Sequence, residues 1–82
     1  MTIEEKIAQR TMEEVARIFN KNPSEITRET RFVEDLHAKS VNIVQLVAVL
    51  ENEFGVAIPF METRRRKTVG DAIDFVIKLR KA

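Results

Sequence analysis

The most constraining feature of the sequence is a segment from Ser40 to Phe54 in which nearly every side of a predicted helix is apolar. Its apolar residues include Val41, Ile43, Val44, Leu46, Val47, Ala48, Val49 and Leu50. Ser40 is of a type favoured at a helix N-cap, and Gly55 is the residue favoured just past a helix end. A chain of 82 residues cannot cover every side of such a helix. The excess apolar face therefore predicts a partner surface or the wall of an internal cavity.

Two other segments have the period of an amphipathic helix. The first runs from about Ile3 to Phe19 and ends before Pro23, because the residue before a proline is pushed out of the helical region. The last opens at Thr68, and Asp71 three positions later completes a pattern typical of a capping box. The predicted core-facing residues of these two helices are Ile3, Ile7, Val15, Ile18, Phe19, Val69, Ala72, Ile73, Val76 and Leu79.

The connection between the first two helices, residues 20–39, has no clear period and is long for a small domain. We therefore expect a short helical turn around Ser24 to Ile26, and several apolar side chains that pin the connection to the core. The pinning residues are Ile26, Phe32, Val33 and Leu36. A further short helix is predicted from about Phe60 to Arg66. The predicted fold is all-α, a small antiparallel four-helix bundle with three main helices and one short helix, in a single domain of residues 1–82.

The composition excludes several kinds of site. The chain has no Cys and one His, so a disulfide or a thiolate metal site is excluded and we expect no metal centre. His37 lies three residues before Ser40, but serine catalysis also needs an orienting acid and an oxyanion hole, and nothing in the sequence indicates them. We therefore expect no enzymatic activity. No apolar run approaches the roughly 20 residues that span a bilayer, and no signal peptide is evident, which favours a cytoplasmic protein.

A basic cluster is the clearest charge feature. Arg64, Arg65, Arg66 and Lys67 are consecutive in a chain whose net charge is only +1. The cluster is interpreted either as a solvated turn or as a docking patch for an acidic protein or a membrane surface. Another alternative is a helical interaction domain that binds protein or nucleic acid through this cluster. The candidate recognition helix, residues 40–54, contains no Arg or Lys, so we expect no nucleic-acid partner.

Several short motifs stand in a fixed order along most of the chain. They are Phe32-Val33-Glu34-Asp35-Leu36 followed by Ser40, then Leu46-Val47, Leu50-Glu51-Asn52-Glu53-Phe54-Gly55-Val56, Ile58-Pro59 and Thr68-Val69-Gly70-Asp71-Ala72-Ile73. This arrangement resembles the acyl carrier protein family. The resemblance implies that a transferase attaches 4′-phosphopantetheine from coenzyme A to Ser40, and that the arm carries acyl groups as thioesters. It also implies a carrier that performs no chemistry itself.

The resemblance further implies that an acyl chain can lie between the second predicted helix and its neighbours. The candidate residues for such a cavity are Phe32, Leu46, Val47, Leu50, Ile58 and Ala72. Each of these residues also suits an ordinary core position, and that alternative stays open.

The residues around Ser40 depart from the family pattern. Where the family usually has Asp-Ser-Leu, with a glycine two places before the aspartate, this chain has Lys39, Ser40 and Val41, with His37 in place of the glycine. Lys39 reverses the charge beside the attachment point. We interpret the chain as a specialised carrier for a modified fatty acid, an unusual lipid or a polyketide, rather than for bulk fatty acid biosynthesis. The alternative is a degenerate carrier in which Ser40 is never modified.

Partner recognition is expected to depend on the apolar front of the second predicted helix more than on charge. The predicted contact residues are Lys39, Val41, Ile43, Ala48, Arg64 and Arg65. The expected partners are a phosphopantetheinyl transferase and enzymes that transfer or synthesise acyl groups, with a membrane-associated enzyme among the alternatives. We expect the protein to be a monomer.

Overall fold

The computed structural model describes residues 1–82, and its regular secondary structure is helical. Its helices are α1 (Ile3–Ile18), α2 (Ser40–Phe54), α3 (Phe60–Arg64) and α4 (Val69–Lys81), and a single 3₁₀ turn occupies Pro23–Glu25. The only extended pairing is one isolated bridge between Arg31 and Thr68. Helix α1 packs against α2 and α4, and α3 packs against α2. The predicted all-α fold of three main helices and one short helix is confirmed.

Local signals define most of the helix ends. The hydroxyl of Thr68 accepts from the N–H of Asp71 over 3.1 Å, and the Asp71 carboxylate accepts from the N–H of Thr68 over 3.3 Å. This reciprocal pair is the capping box predicted for α4. Gly55 ends α2 in the left-handed conformation, with φ 61°, and its N–H donates to the carbonyl of Glu51. Both ends lie where the sequence predicts them.

The core consists of 16 buried apolar residues drawn from α1, α2, α4 and the long connection, with Ile58 added from the segment just before α3. Five of them have almost no exposed surface: Ile7, Val15, Leu46, Val69 and Ile73. Helix α2 lies against both α1 and α3, and it buries Ile43, Leu46, Val47, Leu50 and Phe54. Burial of a side chain of this size stabilises the fold by about 1.5–3 kcal/mol before conformational entropy is counted.

The connection from α1 to α2 is held by apolar and backbone contacts. Ile26, Phe32 and Leu36 are buried, as predicted. The N–H of Phe32 also donates to the carbonyl of Lys67 over 3.0 Å, and the N–H of Val69 donates to the carbonyl of Thr30 over 2.9 Å. These bonds fix the connection against the start of α4, so it reaches Ser40 along a defined path.

The prediction that Val33 pins the connection is wrong, since its side chain is 67% exposed. The N–H of Asp35 donates to the carbonyl of Arg31, and the N–H of His37 donates to the carbonyl of Val33, so the backbone makes a helix-like turn. In such a turn residues four apart share a face. Phe32 and Leu36 therefore point inward together, and Val33 points to solvent.

Three further details differ from the expectation. Helix α1 ends at Ile18, one residue early, and Ile3 at its first position is 47% exposed instead of core-facing. Helix α3 ends at Arg64, two residues early. Its inward residue is Thr63, whose hydroxyl donates to the carbonyl of Pro59 over 2.8 Å and so satisfies its own buried oxygen. None of the four helices combines the length and apolar composition that a bilayer crossing requires.

Candidate functional site

Ser40 is the first residue of α2 and is exposed to solvent. The prediction that it is the N-cap is wrong, because that position belongs to Lys39, whose carbonyl accepts the first helical bonds from Asn42 and Ile43. The Oδ1 of Asn42 accepts from the N–H of Lys39 over 2.9 Å and holds the entry to the helix. The Ser40 hydroxyl therefore has no capping role and is free to react.

The start of α2 also presents unpaired backbone donors. The N–H groups of Ser40 and Val41 donate to no acceptor in the protein. They lie at the positive end of a helix of 15 residues, where an anion is stabilised by the aligned peptide dipoles. A phosphate joined to the Ser40 oxygen would lie beside these donors.

The turn before Ser40 has an unusual backbone at the position where the sequence departs from the family pattern. His37 has φ 53°, in the left-handed region that favours glycine, although histidine is among the residues that tolerate it better than most. The N–H of Ala38 then donates to the carbonyl of Phe32 over 2.9 Å and closes the turn. The backbone geometry that a glycine would supply is thus retained with His37 in its place.

An ion pair lies at the base of the same turn. The Asp35 carboxylate accepts from the guanidinium of Arg31 at 3.2 and 3.3 Å and from the Arg31 backbone N–H at 2.8 Å. These bonds lower the pKa of Asp35, with the side-chain bond from Arg31 as the largest cause, and they raise the pKa of Arg31. The pair stabilises the turn that presents Ser40 as long as Asp35 is ionised.

A cavity of about 430 Å³ opens directly beside Ser40. It lies between the turn, the start of α2 and the end of α3, and its lining residues are Phe32, Val33, Ala38, Lys39, Ser40, Ile43, Arg64, Arg65 and Arg66. Three consecutive arginines of the basic cluster therefore share a cavity with Ser40 and Lys39. The sequence identified the cluster and the serine separately and gave no sign that they meet.

The predicted contact residues divide between surface and core. Val41 is 61% exposed and Ala48 is also exposed, as expected for a partner surface. The prediction for Ile43 is wrong, because it is only 6% exposed and packs inward below the cavity. Val44, which the prediction omitted, is 51% exposed and lies three residues from Val41 and four from Ala48, on one helical face. We call Val41, Val44 and Ala48 the apolar stripe.

The residues predicted to line an acyl cavity are core residues in this structure. Leu46, Val47, Leu50, Ile58 and Ala72 are at most 8% exposed, and none of them lines any of the three cavities. Phe32 alone of the predicted set lines a cavity, and it is the one beside Ser40. No group of three or more His, Cys, Asp or Glu side chains is arranged to hold a metal ion.

Comparison with known proteins gives the same result from sequence and from structure. The family model for a phosphopantetheine attachment site matches residues 9–76. The acyl carrier protein of Rickettsia canadensis is 42% identical over 76 residues, covering 93% of this chain and 88% of that protein. The acyl carrier protein of Rickettsia typhi is 41% identical over the same length. The solved structure of the acyl carrier protein from Enterococcus faecalis superimposes with a TM-score of 0.78 at 28% identity, covering 96% of this chain and 99% of the other.

Proposed function

This chain belongs to the acyl carrier protein family, and we propose that Ser40 is the residue to which its 4′-phosphopantetheine arm is joined. The family's members are carriers and not enzymes, and the covalent arm is their cofactor. The observation that carries the assignment is the position of Ser40. Its hydroxyl is exposed, makes no hydrogen bond within the protein and lies at the start of a long helix beside two unpaired N–H groups.

The chemistry at this position is a phosphoryl transfer. The Ser40 oxygen attacks the phosphorus that carries the pantetheine in coenzyme A, and the pyrophosphate bond breaks. Adenosine 3′,5′-bisphosphate leaves, and the serine proton passes to a base on the transferase. The arm then supplies the thiol that forms thioesters, which this chain cannot do itself because it has no Cys. The chain's own part is to expose the hydroxyl and to stabilise the phosphodiester that results.

The partner enzymes are expected to dock on the face around Ser40. The apolar stripe offers contact area there, and Lys39, Arg64 and Arg65 are exposed cations beside it. A partner with an apolar centre and an acidic rim is complementary to this face. Carriers whose sites read Asp-Ser-Leu present the opposite charge beside the serine, so we propose that this chain serves a dedicated fatty acid, lipid or polyketide pathway. We expect it to act as a cytoplasmic monomer.

Intact-protein mass spectrometry tests the assignment. The unmodified protein is incubated with coenzyme A and a broad-specificity phosphopantetheinyl transferase, and the adduct is located by peptide mapping. We expect a gain of one arm on Ser40. The chain has only two serines, so Ser24→Ala is a matched control that keeps the modification, while Ser40→Ala abolishes it. Since the Ser40 hydroxyl caps nothing, Ser40→Ala should change the free energy of unfolding by no more than about 0.5 kcal/mol.

Two results would contradict the assignment. One is a labelled Ser40→Ala variant. The other is a protein that gains no mass with the broad transferase and is also unmodified when isolated from its native host. The second result would favour the degenerate carrier instead.

A further inference from the structure

The cavity beside Ser40 has an uncompensated positive charge. Lys39, Arg64, Arg65 and Arg66 line it, and no carboxylate does. In each of the other two cavities the cations are accompanied by acids. The second holds Arg28 with Asp74, 2.7 Å apart, and the third holds Lys21 beside acidic residues. The charge imbalance is therefore specific to the cavity that contains the attachment serine.

The arginines of this cavity are free to bind an anion. None of Arg64, Arg65 and Arg66 takes part in an ion pair, although five other cations of the chain do. Arg66 is the positioned member of the three, because its Nε donates to the carbonyl of Glu62 over 3.0 Å and its guanidinium lies 5.0 Å from the centre of the Phe75 ring. Arg64 and Arg65 are exposed, and the N–H donors of their guanidinium groups are all available.

The rest of the lining is apolar. Phe32, Val33, Ala38 and Ile43 form the other side of the cavity. Its volume of about 430 Å³ lies within the range of about 300–1,000 Å³ usual for small-molecule sites. A ligand that suits this lining has an anionic group next to a compact apolar group, and its anion lies close to Ser40.

We propose that this cavity binds the root of the chain's own arm, with the phosphodiester on the cations and the dimethyl-bearing carbon on the apolar side. This inference rests on the proposed attachment at Ser40. The order of groups along the arm matches the two sides of the cavity. The phosphate follows the serine oxygen directly and suits the cations. A CH₂ group then leads to the carbon that bears the two methyl groups, which suit the apolar side. Once joined to Ser40, which itself lines the cavity, the arm is present there at high effective concentration.

The consequence is a carrier whose arm is held at its root. The phosphate has two unpaired N–H donors at the start of α2 and the cations of the cavity within the same site, and charge-assisted bonds to phosphate are stronger than neutral ones. The thiol end stays free to reach partner enzymes, but the first part of the arm lies toward α3 instead of moving in solvent. Partners would then meet a directed arm.

Nuclear magnetic resonance of the modified protein tests this. The arm is transferred from coenzyme A that carries ¹³C in the two methyl groups, and mass spectrometry first establishes that Ser40 is loaded. We expect nuclear Overhauser contacts from these methyl groups to Phe32 and Val33, and methyl relaxation close to that of the folded protein. In the double variant Arg64→Gln/Arg65→Gln the nuclear Overhauser contacts should weaken, and the methyl relaxation should approach that of a free arm. Lys78→Gln/Arg80→Gln removes the same charge from exposed positions on α4 and should leave them unchanged.

A salt titration of the unmutated protein gives a second reading that does not depend on the folding of a variant. Raising the ionic strength should loosen the arm, because exposed charges are screened. If the loaded protein shows no methyl contacts to the cavity, or if its arm relaxes as a free arm at all salt concentrations, the inference is wrong while the attachment at Ser40 stands. If Ser40 takes no arm at all, it is the proposed function that fails.

Discussion

The backbone N–H of Gly70 donates to the carbonyl oxygen of Arg28 over 2.8 Å, and this bond joins the long connection to the first turn of α4. The approach is possible because residue 70 has no side chain. A Cβ built on Gly70 would lie 2.9 Å from that carbonyl oxygen and 3.1 Å from the Cβ of Arg28. The contact is with backbone, so it cannot be relieved by the rotation of a flexible side chain.

Overpacking at this position should cost about 1–3 kcal/mol, and the roughly 1 kcal/mol that Ala gains over Gly in a helix offsets part of it, so Gly70→Ala should destabilise the protein by up to about 2 kcal/mol. The free energy of unfolding from urea denaturation measures it. Asp74→Asn is a matched control, since it weakens only the exposed Arg28–Asp74 ion pair and should cost less than about 1 kcal/mol. Equal losses in the two variants would show that the close approach is not the important contact.

Thr11 on α1 is fully buried, and its hydroxyl oxygen has no hydrogen-bond partner. Thr11→Val keeps the shape and removes the unsatisfied group, so it should raise the free energy of unfolding by about 1 kcal/mol. Val15→Thr, one turn further along α1 and equally buried, is the reverse control and should lower it. A thermal melt of each variant decides the sign. A less stable Thr11→Val protein would mean that the hydroxyl has a partner in solution.

The Arg31–Asp35 pair predicts an acid dependence of stability. The pKa of Asp35 is lowered from its usual 3.8 in the folded protein, so the unfolded chain takes up the proton more readily. The contribution of the pair is fully present above the unfolded value and is lost as the pH falls through the lower, folded value. The free energy of unfolding, measured at a series of pH values from neutral to acid, should show this loss.

Asp35→Asn should be less stable at neutral pH and should show a smaller loss on acidification than the unmutated chain. Glu29→Gln removes an exposed carboxylate that forms no ion pair and should leave the acid dependence unchanged. The pKa values of Glu5, Glu13 and Glu53 are lowered as well, so part of the acid dependence remains in both variants. If the free energy of unfolding of Asp35→Asn depends on pH as strongly as that of the unmutated chain, the Arg31–Asp35 pair does not contribute to the acid dependence.

Lys39→Asp should have two effects. Because Lys39 is the N-cap of α2 and aspartate is a favoured N-cap residue, the variant should unfold at a higher temperature, with a gain of about 1 kcal/mol. A transferase that favours acidic carriers should also modify it faster, by roughly tenfold in kcat/KM at low salt. Lys78→Asp makes the same change of charge on α4 and should show neither effect. A rate that does not change would mean that charge beside Ser40 does not discriminate between transferases.

The features that the sequence predicted correctly are those that depend on neighbours along the chain. The capping box of Thr68 and Asp71 and the stop at Gly55 are local arrangements, and the helical periods of α1 and α4 are equally local. The exposure of an individual residue is not a local property, because it depends on which face a segment turns inward. The sequence therefore predicts the wrong exposure for Val33 and for Ile43. It also predicts the N-cap of α2 at Ser40, one residue after the observed cap at Lys39.

Short-range sterics, capping and periodicity specify the helical class, the order of the helices and the serine at the start of α2, so these can be predicted from the amino-acid order. The packing of the bundle brings Arg64, Arg65 and Arg66 into one cavity with Ser40. It also places Gly70 where a side chain would clash with the backbone of Arg28. These relationships join residues far apart in the chain. They depend on how α3 and α4 pack against the rest of the bundle, and no local sequence pattern specifies this packing.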